Sequence, residues 1–279
     1  MGLHQDVIDM LKETSRTFFI PINHLPSRLQ EAVASAYLCM RAIDEIEDHP
    51  TLDKPGKMRY LRTISRRLQE QTSVATFANH SFSATFKTQE HVLPEVTLRI
   101  GDWACLAPES IAPRIWDATA TMADRMADWV ANGWKIRIES DLDRYTFAVA
   151  GAIGLLLCDI WAWFDGTQMN RTHAIHFGRG LQAVNILRNR IEDLARGVDF
   201  FPPGWTQEHI RQYAIHNLSL ADAYARSLPP GPFVYFIQTP LALAYATLDA
   251  LARGESKLSR SAVLKLTQNI DDKRRADSQ

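Results

Sequence analysis

A few polar and charged residues stand at regular intervals in an otherwise apolar stretch early in the chain. Four polar residues recur there at steps of four, three and four positions: Tyr37, Arg41, Asp44 and Asp48. On a helix this spacing places all four on one stripe, with Glu47 beside it. The residues from Ala32 to Ile46 are otherwise almost all apolar, which predicts a helix buried on most sides.

Buried charges need opposite charges, water or a metal, so this stripe has two interpretations. In one, Arg41 pairs with Asp44 while Glu45, Glu47 and Asp48 form a solvated helix end. In the other, the acids face a bound cation. The spacing alone does not decide, because carboxylates four residues apart are common on helix surfaces.

A second polar stripe lies in the segment 180–193. Its members again follow three- and four-residue steps: Gln182, Asn185, Asn189 and Asp193, with Arg188 flanking them. Two such stripes can line opposite walls of one cavity, as in helix bundles that hold metals. Mg²⁺ shares its ligand shell between carboxylates, water and phosphate oxygens, and arginines neutralise the remaining charge. Together the stripes predict a magnesium–diphosphate site.

The elements that must position these stripes are helices. Apolar residues recur with helical spacing, and no segment alternates like a half-buried strand. The predicted helices are Gln5–Phe19, Leu29–Glu47, Lys57–Gln71, Ile111–Ala131, Leu142–Trp163, Arg171–Leu194, Thr206–Arg226 and Pro240–Arg253. The fold class is therefore all-α, with one domain over residues 1–279 that ends in a polar tail at 270–279.

Composition excludes several function classes. The net charge of −1 offers no field for nucleic acid or an anionic membrane. The three cysteines show no metal spacing, and no signal peptide precedes the first helix, which favours a cytoplasmic protein. The apolar run Ala148–Cys158 is too short to span a bilayer. The run Ser227–Leu248 contains four prolines and predicts a loop before the helix from Pro240.

Five ordered segments carry a resemblance to a known family. They are Ser15–Phe19, Tyr37–Asp48, Met122–Trp129, Tyr145–Gly154 and Asn185–Asp193. In order and spacing they resemble the signature segments of squalene and phytoene synthases. The run Phe200–Trp205 is similar to the squalene synthase branch in particular. The resemblance implies a single-domain α-helical isoprenoid synthase bundle with a central cavity.

The resemblance also implies roles for individual residues. It assigns Mg²⁺ to Asp44, Asp48 and Asp193, with Asn189 at a ligand position. It assigns the diphosphate to Ser15, Arg16, Arg41, Gln182, Asn185 and Arg188, and it places Tyr37, Tyr145 and Tyr245 near the developing carbocation. The implied reaction is Mg²⁺-dependent ionisation of farnesyl or geranylgeranyl diphosphate, followed by head-to-head condensation. A lipophilic substrate implies at most peripheral contact with a membrane.

Two positions depart from the family pattern. Asn189 stands where the family has aspartate, and Val198 and Asp199 precede Phe200 where a basic residue is common, leaving Arg196 as the nearest cation. These changes leave open a single-substrate terpene cyclase or prenyl diphosphate phosphatase, and a non-catalytic scaffold. The small residues Ala148, Ala150, Gly151 and Gly154 are also open to two interpretations, passage of a prenyl tail or helix packing.

Overall fold

The computed structural model describes residues 2–75, Phe82, Phe86 and 91–277. The side chains of Arg16, Arg260, Asp271 and residues 273–277 lie outside this description. Every regular element within the described residues is helical, which confirms the all-α prediction.

The chain contains thirteen described α-helices and one π-helical segment. The first seven are α1 Gln5–Thr14, α2 Arg16–Asn23, α3 Ser27–Glu47, α4 Lys54–Gln69, α5 Glu95–Leu98, α6 Ile100–Cys105 and α7 Ala112–Ala131. They are followed by α8 Glu139–Thr146, the π segment Phe147–Gly151 and α9 Ala152–Asp165. The last four are α10 Arg171–Ala195, α11 Gln207–Ser227, α12 Pro232–Ala252 and α13 Arg260–Asp277.

These helices divide into two compact units. The first unit comprises Met1–Thr14, Pro26–Lys135 and Leu156–Gln168. The second unit comprises Ser15–Leu25, Ile136–Leu155 and Met169–Gln279. Each unit is therefore assembled from segments that are distant in sequence. The single domain over residues 1–279 stays a prediction.

Helix α3 forms the core of the first unit. Its apolar side chains are buried on nearly every face, as the sequence predicts. Two hydroxyl groups link α3 to its neighbours: Ser35 Oγ of α3 donates to the Trp103 carbonyl oxygen of α6 at 2.7 Å, and Thr97 Oγ1 of α5 donates to the Ala42 carbonyl oxygen of α3 at 2.9 Å. These contacts fix α5 and α6 against α3 and so set the direction in which its acidic end points.

The second unit contains a close approach between α10 and the π segment together with the first turn of α9. A Cβ atom added to Gly154 would lie 2.1 Å from the carbonyl oxygen of Ala174. A Cβ added to Gly178 would lie 2.3 Å from the carbonyl oxygen of Ala150. Neither distance is tolerable, so backbone packs on backbone here. This favours the packing interpretation for Gly151 and Gly154.

Several predicted helix bounds were wrong. The helix predicted at Gln5–Phe19 is two helices, because Ser15 adopts an extended conformation and caps α2. The loop predicted before Pro240 is helical, since α12 begins at Pro232 and contains Pro240. Proline is favourable in the first turn, where the N–H has no intrahelical partner. The polar tail at 270–279 is helical as far as Asp277.

The predicted helix Leu142–Trp163 is longer than expected. It begins at Glu139, includes the π segment and continues to Asp165. Helix Glu139–Asp165 is long and apolar enough to cross a membrane by length and composition, and half of its most apolar window is buried inside the protein. A buried core helix passes the same test, so length and composition do not distinguish the two.

Candidate active site

Three carboxylates meet at the C-terminal end of α3. Asp44, Glu47 and Asp48 each offer an oxygen, and these oxygens lie within 4.8 Å of one another. Their spacing of three and four residues places them on adjacent positions of one helix face. The cluster grades from the buried Glu47 to the exposed Asp48, with Asp44 between them. We call these three residues the acidic cluster.

Glu47 does not belong to a solvated helix end, as one interpretation of the sequence required. Its side chain is buried, and the indole Nε1 of Trp134 donates a hydrogen bond to its Oε1. Burial raises the pKa of Glu47 well above its ordinary value, Asp48 and Asp44 raise it further, and the Trp134 bond opposes them. Glu47 is thus buried beside two other acids, where its charged form is disfavoured.

Arg41 supplies a positive charge beside the acidic cluster. Its Nη1 donates to Asp44 Oδ2 at 2.7 Å, and its Nη2 donates to Glu45 Oε1. Burial alone would lower the pKa of Arg41, but Asp44 and Glu45 raise it above its ordinary value, so the guanidinium stays charged. The predicted Arg41–Asp44 pair is confirmed. Tyr37 lies one turn before Arg41 on α3, and its hydroxyl donates to the Thr14 carbonyl oxygen at 3.0 Å.

The donor set of the acidic cluster fits a hard divalent cation. Carboxylate oxygens are the ligands that Mg²⁺ prefers, and it is usually held by one or two carboxylates together with water and substrate phosphate. A cation placed among three converging carboxylates would also favour the charged form of Glu47, which burial and, to a lesser extent, Asp48 and Asp44 disfavour. Asp44, Glu47 and Asp48 are therefore the residues of the first unit that could hold Mg²⁺.

In the second unit, α10 carries the predicted amide stripe. Gln182 and Asn185 are half-buried, and Asn185 Nδ2 donates to Gln182 Oε1 over a long 3.4 Å. Arg188 is exposed, and its Nε donates to Asn189 Oδ1 at 3.0 Å. The structure thus brings these four residues together in two neighbouring pairs. The oxygen of Asn189, the residue at the position where aspartate is expected, thus accepts a hydrogen bond from Arg188.

Asp193 lies one turn beyond Asn189 and is buried. It forms an ion pair with Arg196, the residue that the sequence marks as the cation nearest to Phe200. Arg196 therefore neutralises an acid of the second stripe, and its charge is shared with that acid. A metal at Asp193 would have to compete with this pair or share the carboxylate with it.

Sequence reasoning missed a second arginine beside the Phe200 run. Arg190 Nη2 lies 3.2 Å from Asp199 Oδ2, and its guanidinium lies 3.7 Å from the centroid of the Phe201 ring. The adjacent Phe200 stacks on Tyr145, with ring centroids 4.4 Å apart and planes 21° from parallel. The sequence did offer one signal for this arginine: Arg190 directly follows Asn189 of the second polar stripe. The structure thus places a cation and an aromatic pair at this run.

The remaining predicted residues take separate positions. Ser15 is buried at the start of α2, where its Oγ accepts from the Phe18 N–H at 2.8 Å, and the Arg16 side chain lies outside the described residues. Tyr245 is half-buried on α12, and burial followed by the charge of Asp222 raises its pKa. Its position near the carbocation stays a prediction.

A polar network that the sequence did not reveal includes residues that flank Tyr145 in sequence. The Tyr213 hydroxyl donates to Asp143 Oδ1 at 2.7 Å and lies 3.1 Å from Thr146 Oγ1. Arg179 reaches the same carboxylate at 3.5 Å. Burial raises the pKa of Tyr213, and Asp143 adds to the shift, so the hydroxyl keeps its proton. The network ties α8 to α10 and α11 on either side of Tyr145.

Comparison with known sequences gives the family of the chain. Residues 11–219 match the profile of the squalene/phytoene synthase family. The squalene synthase of Eremothecium gossypii is 28% identical over 91% of this chain and 63% of its own length. That of Dictyostelium discoideum is 28% identical over 80% of this chain and 52% of its own length. The chain thus spans less than two thirds of the length of these curated relatives.

Comparison with solved structures supports the fold. A complex of TcSQS with the ligand E5700 superposes with a TM-score of 0.77 at 20% identity, over 95% of this chain and 84% of that one. A dehydrosqualene synthase in complex with ligand gives a TM-score of 0.62 at 17% identity, over 97% and 96% of the two chains. With the profile matching residues 11–219, the chain belongs to the squalene/phytoene synthase family.

Proposed function

We propose that this chain catalyses the Mg²⁺-dependent ionisation of a prenyl diphosphate, farnesyl or geranylgeranyl diphosphate, and joins two such molecules head to head. The observation that carries the proposal is the acidic cluster, in which three carboxylates converge within 4.8 Å beside the charged Arg41. Membership of the squalene/phytoene synthase family supports the choice of reaction.

The roles follow from the charge of the reaction. Cleavage of the allylic C–O bond sends both bonding electrons to the diphosphate, and bound Mg²⁺ would stabilise that charge. Asp44, Glu47 and Asp48 hold the cation in this proposal. Asp193 and Asn189 extend the metal-binding set, and Ser15, Arg16, Arg41, Gln182, Asn185 and Arg188 donate hydrogen bonds to phosphate oxygens.

The hydrocarbon half of the substrate needs different surroundings. An allylic cation must be kept from water, and aromatic ring faces stabilise positive charge. Tyr145, already stacked on Phe200, would offer such a face in the proposal, with Tyr37 and Tyr245 as further aromatic walls. Because the substrate is lipophilic, we also propose a cytoplasmic protein that contacts membranes at its periphery.

Product analysis tests the reaction. Purified protein is incubated with Mg²⁺ and either farnesyl or geranylgeranyl diphosphate, and the products are extracted and identified by mass. We expect a C30 or C40 hydrocarbon, or the corresponding cyclopropyl diphosphate, and none of these after chelation of the metal. A C15 or C20 alcohol or cyclic hydrocarbon would contradict condensation. Folded protein that releases no diphosphate with any metal would indicate a scaffold.

One observation favours the single-substrate alternative, a cyclase or phosphatase. Asn189 carries no charge, and its oxygen accepts a hydrogen bond from Arg188. A neutral amide holds a hard cation less strongly than a carboxylate does. If the second stripe binds metal weakly, only one substrate would be ionised.

This alternative predicts the behaviour of Asn189→Asp. The added carboxylate should lower the Mg²⁺ concentration for half-maximal turnover by about tenfold and raise the share of condensed product. The control is Asn170→Asp, which adds the same charge at the start of α10, where either residue caps the helix. Equal Mg²⁺ requirements for Asn189→Asp and the unmodified protein would contradict a metal-binding role for position 189.

A further inference from the structure

The turn after α7 places a tryptophan with unusual backbone geometry. α7 ends at Ala131, with Asn132 as its C-cap, in a Schellman motif: the Gly133 N–H donates to the Val130 carbonyl oxygen at 3.1 Å, and the Trp134 N–H donates to that of Trp129 at 2.9 Å. Gly133 has φ +65°, as this motif requires. The sequence Asn132-Gly133-Trp134 thus ends the helix, and Trp134 is the residue that leaves the turn.

Trp134 itself has φ +50°, and it is the one non-glycine residue with positive φ among the described residues. Such a conformation costs on the order of 1 kcal/mol or more for a bulky side chain. Only surroundings that hold the side chain firmly make it persist. The indole is buried, which indicates that its contacts offset this cost.

Those contacts centre on Glu47. The indole Nε1 donates to Glu47 Oε1, 87 residues away in sequence. Lys57 Nζ donates to the Glu47 carbonyl oxygen at 2.6 Å and lies 5.6 Å from the centroid of the Trp134 ring. Lys54 Nζ lies at the same distance from the ring, so two ammonium groups face the indole. One glutamate is thus held through both its side chain and its backbone.

We propose that Trp134 is a positioning residue that holds the Glu47 carboxylate in the acidic cluster, and thereby sets the affinity of the cluster for a divalent cation. The inference rests on the proposed function, because it assigns a cation to the cluster. A metal-binding carboxylate usually receives a hydrogen bond from an outer partner, which fixes its rotamer before the metal arrives. Trp134 supplies that bond, and the two lysines hold the indole in place.

The chemistry of the indole suits this role. Its N–H is a donor only, so it cannot compete with Glu47 for the cation. The bond engages Oε1 of Glu47, and a carboxylate has a second oxygen with which it can bind a metal. Since the ring is large and rigid, the carboxylate is held without the entropy loss that a flexible donor would incur.

Trp134→Phe tests the inference, because it keeps an aromatic ring beneath the lysines and removes the N–H donor, and the control makes the same reduction in ring size. Binding is measured with Mn²⁺ alone, from the electron paramagnetic resonance signal of the free ion. We expect the affinity of the cluster for Mn²⁺ to fall by about 10- to 100-fold, the usual effect of losing an outer partner. Trp163→Phe is the matched control, since its Nε1 donates instead to Ser110 Oγ at 2.9 Å.

Three outcomes are informative. If Asp44→Ala loses Mn²⁺ and Trp134→Phe binds it like the unmodified protein, the role of Trp134 is wrong and the proposed function stands. If the unmodified protein binds no Mn²⁺, both are wrong. If both variants lose affinity while Trp163→Phe keeps it, the inference is supported.

A measurement on the unmodified protein covers the case in which Trp134→Phe does not fold. The indole N–H groups are labelled with ¹⁵N and observed while a small amount of Mn²⁺ is added. An indole hydrogen-bonded to a metal-binding carboxylate lies close to the ion, so its signal should broaden first, whereas that of Trp163, assigned from Trp163→Phe, should not. The inference is overturned if no indole signal broadens.

Discussion

Asp48→Ala is expected to lower the rate of diphosphate release by on the order of 1,000-fold, with little change in stability. Asp48 is exposed at the end of α3, so removing its carboxylate leaves the packing of that helix intact. What is lost is one of three oxygens that converge on the cation, and with it the stabilisation of charge on the departing diphosphate. The rate is measured with labelled farnesyl diphosphate at saturating Mg²⁺, and folding by circular dichroism.

The matched control is Asp117→Ala. Asp117 is also an exposed helical aspartate of the first unit, but it pairs with Arg114 on α7. Its replacement should leave turnover within about twofold, since an exposed ion pair contributes about 1 kcal/mol or less to stability. Normal turnover by Asp48→Ala, or equal losses in both variants, would remove the acidic cluster from the mechanism.

Gly154→Ala is expected to destabilise the second unit by about 3 kcal/mol, at the upper end of what overpacking costs. The added methyl group would meet the carbonyl carbon and oxygen of Ala174 at 2.6 and 2.1 Å. These are backbone atoms of α10 and cannot rotate away, so the helices must separate. Urea unfolding followed by circular dichroism measures the change, and turnover should fall because Tyr145 and the α10 stripe lose their register.

Gly231→Ala is the control for this packing prediction. Its φ of 176° is extended backbone, and a Cβ there meets nothing within 4 Å. The free energy of unfolding should change by about 0.5 kcal/mol or less, the usual range for surface changes. If Gly154→Ala were as stable as Gly231→Ala, the backbone contact between α10 and the first turn of α9 would not exist in solution.

The sequence predicted α3 well because its signal is local. A long apolar run with a few polar residues on one stripe can only be a buried helix with one functional face. Glu47 could not be identified in the same way, since in sequence it stands beside the stripe as one more acid at a helix end. Its burial depends on Trp134, which the turn after α7 brings to it. A contact between residues 87 positions apart leaves no mark in the local spacing of apolar residues, so the sequence pattern could not predict it.

The helix bounds that were wrong also have physical reasons. The sequence predicts a helix that starts at Pro240, because proline interrupts the hydrogen bonds of a helix interior, yet α12 continues through Pro240. In a helix buried this thoroughly, packing offsets the loss of one hydrogen bond. The π segment before Gly154 could not be predicted from apolar spacing, because the residues from Ala148 to Cys158 are all apolar or glycine and show no periodicity that a π turn would interrupt.

The central claim is that the acidic end of α3 binds the divalent cation used in ionising the substrate. Crystals grown with Mn²⁺ and inorganic diphosphate, measured at a wavelength where manganese scatters anomalously, test it most directly. We expect an anomalous peak bound by carboxylate oxygens of Asp44 and Asp48, with diphosphate oxygens completing its shell. Manganese bound only elsewhere, with no anomalous peak at the carboxylates of α3, would contradict the claim.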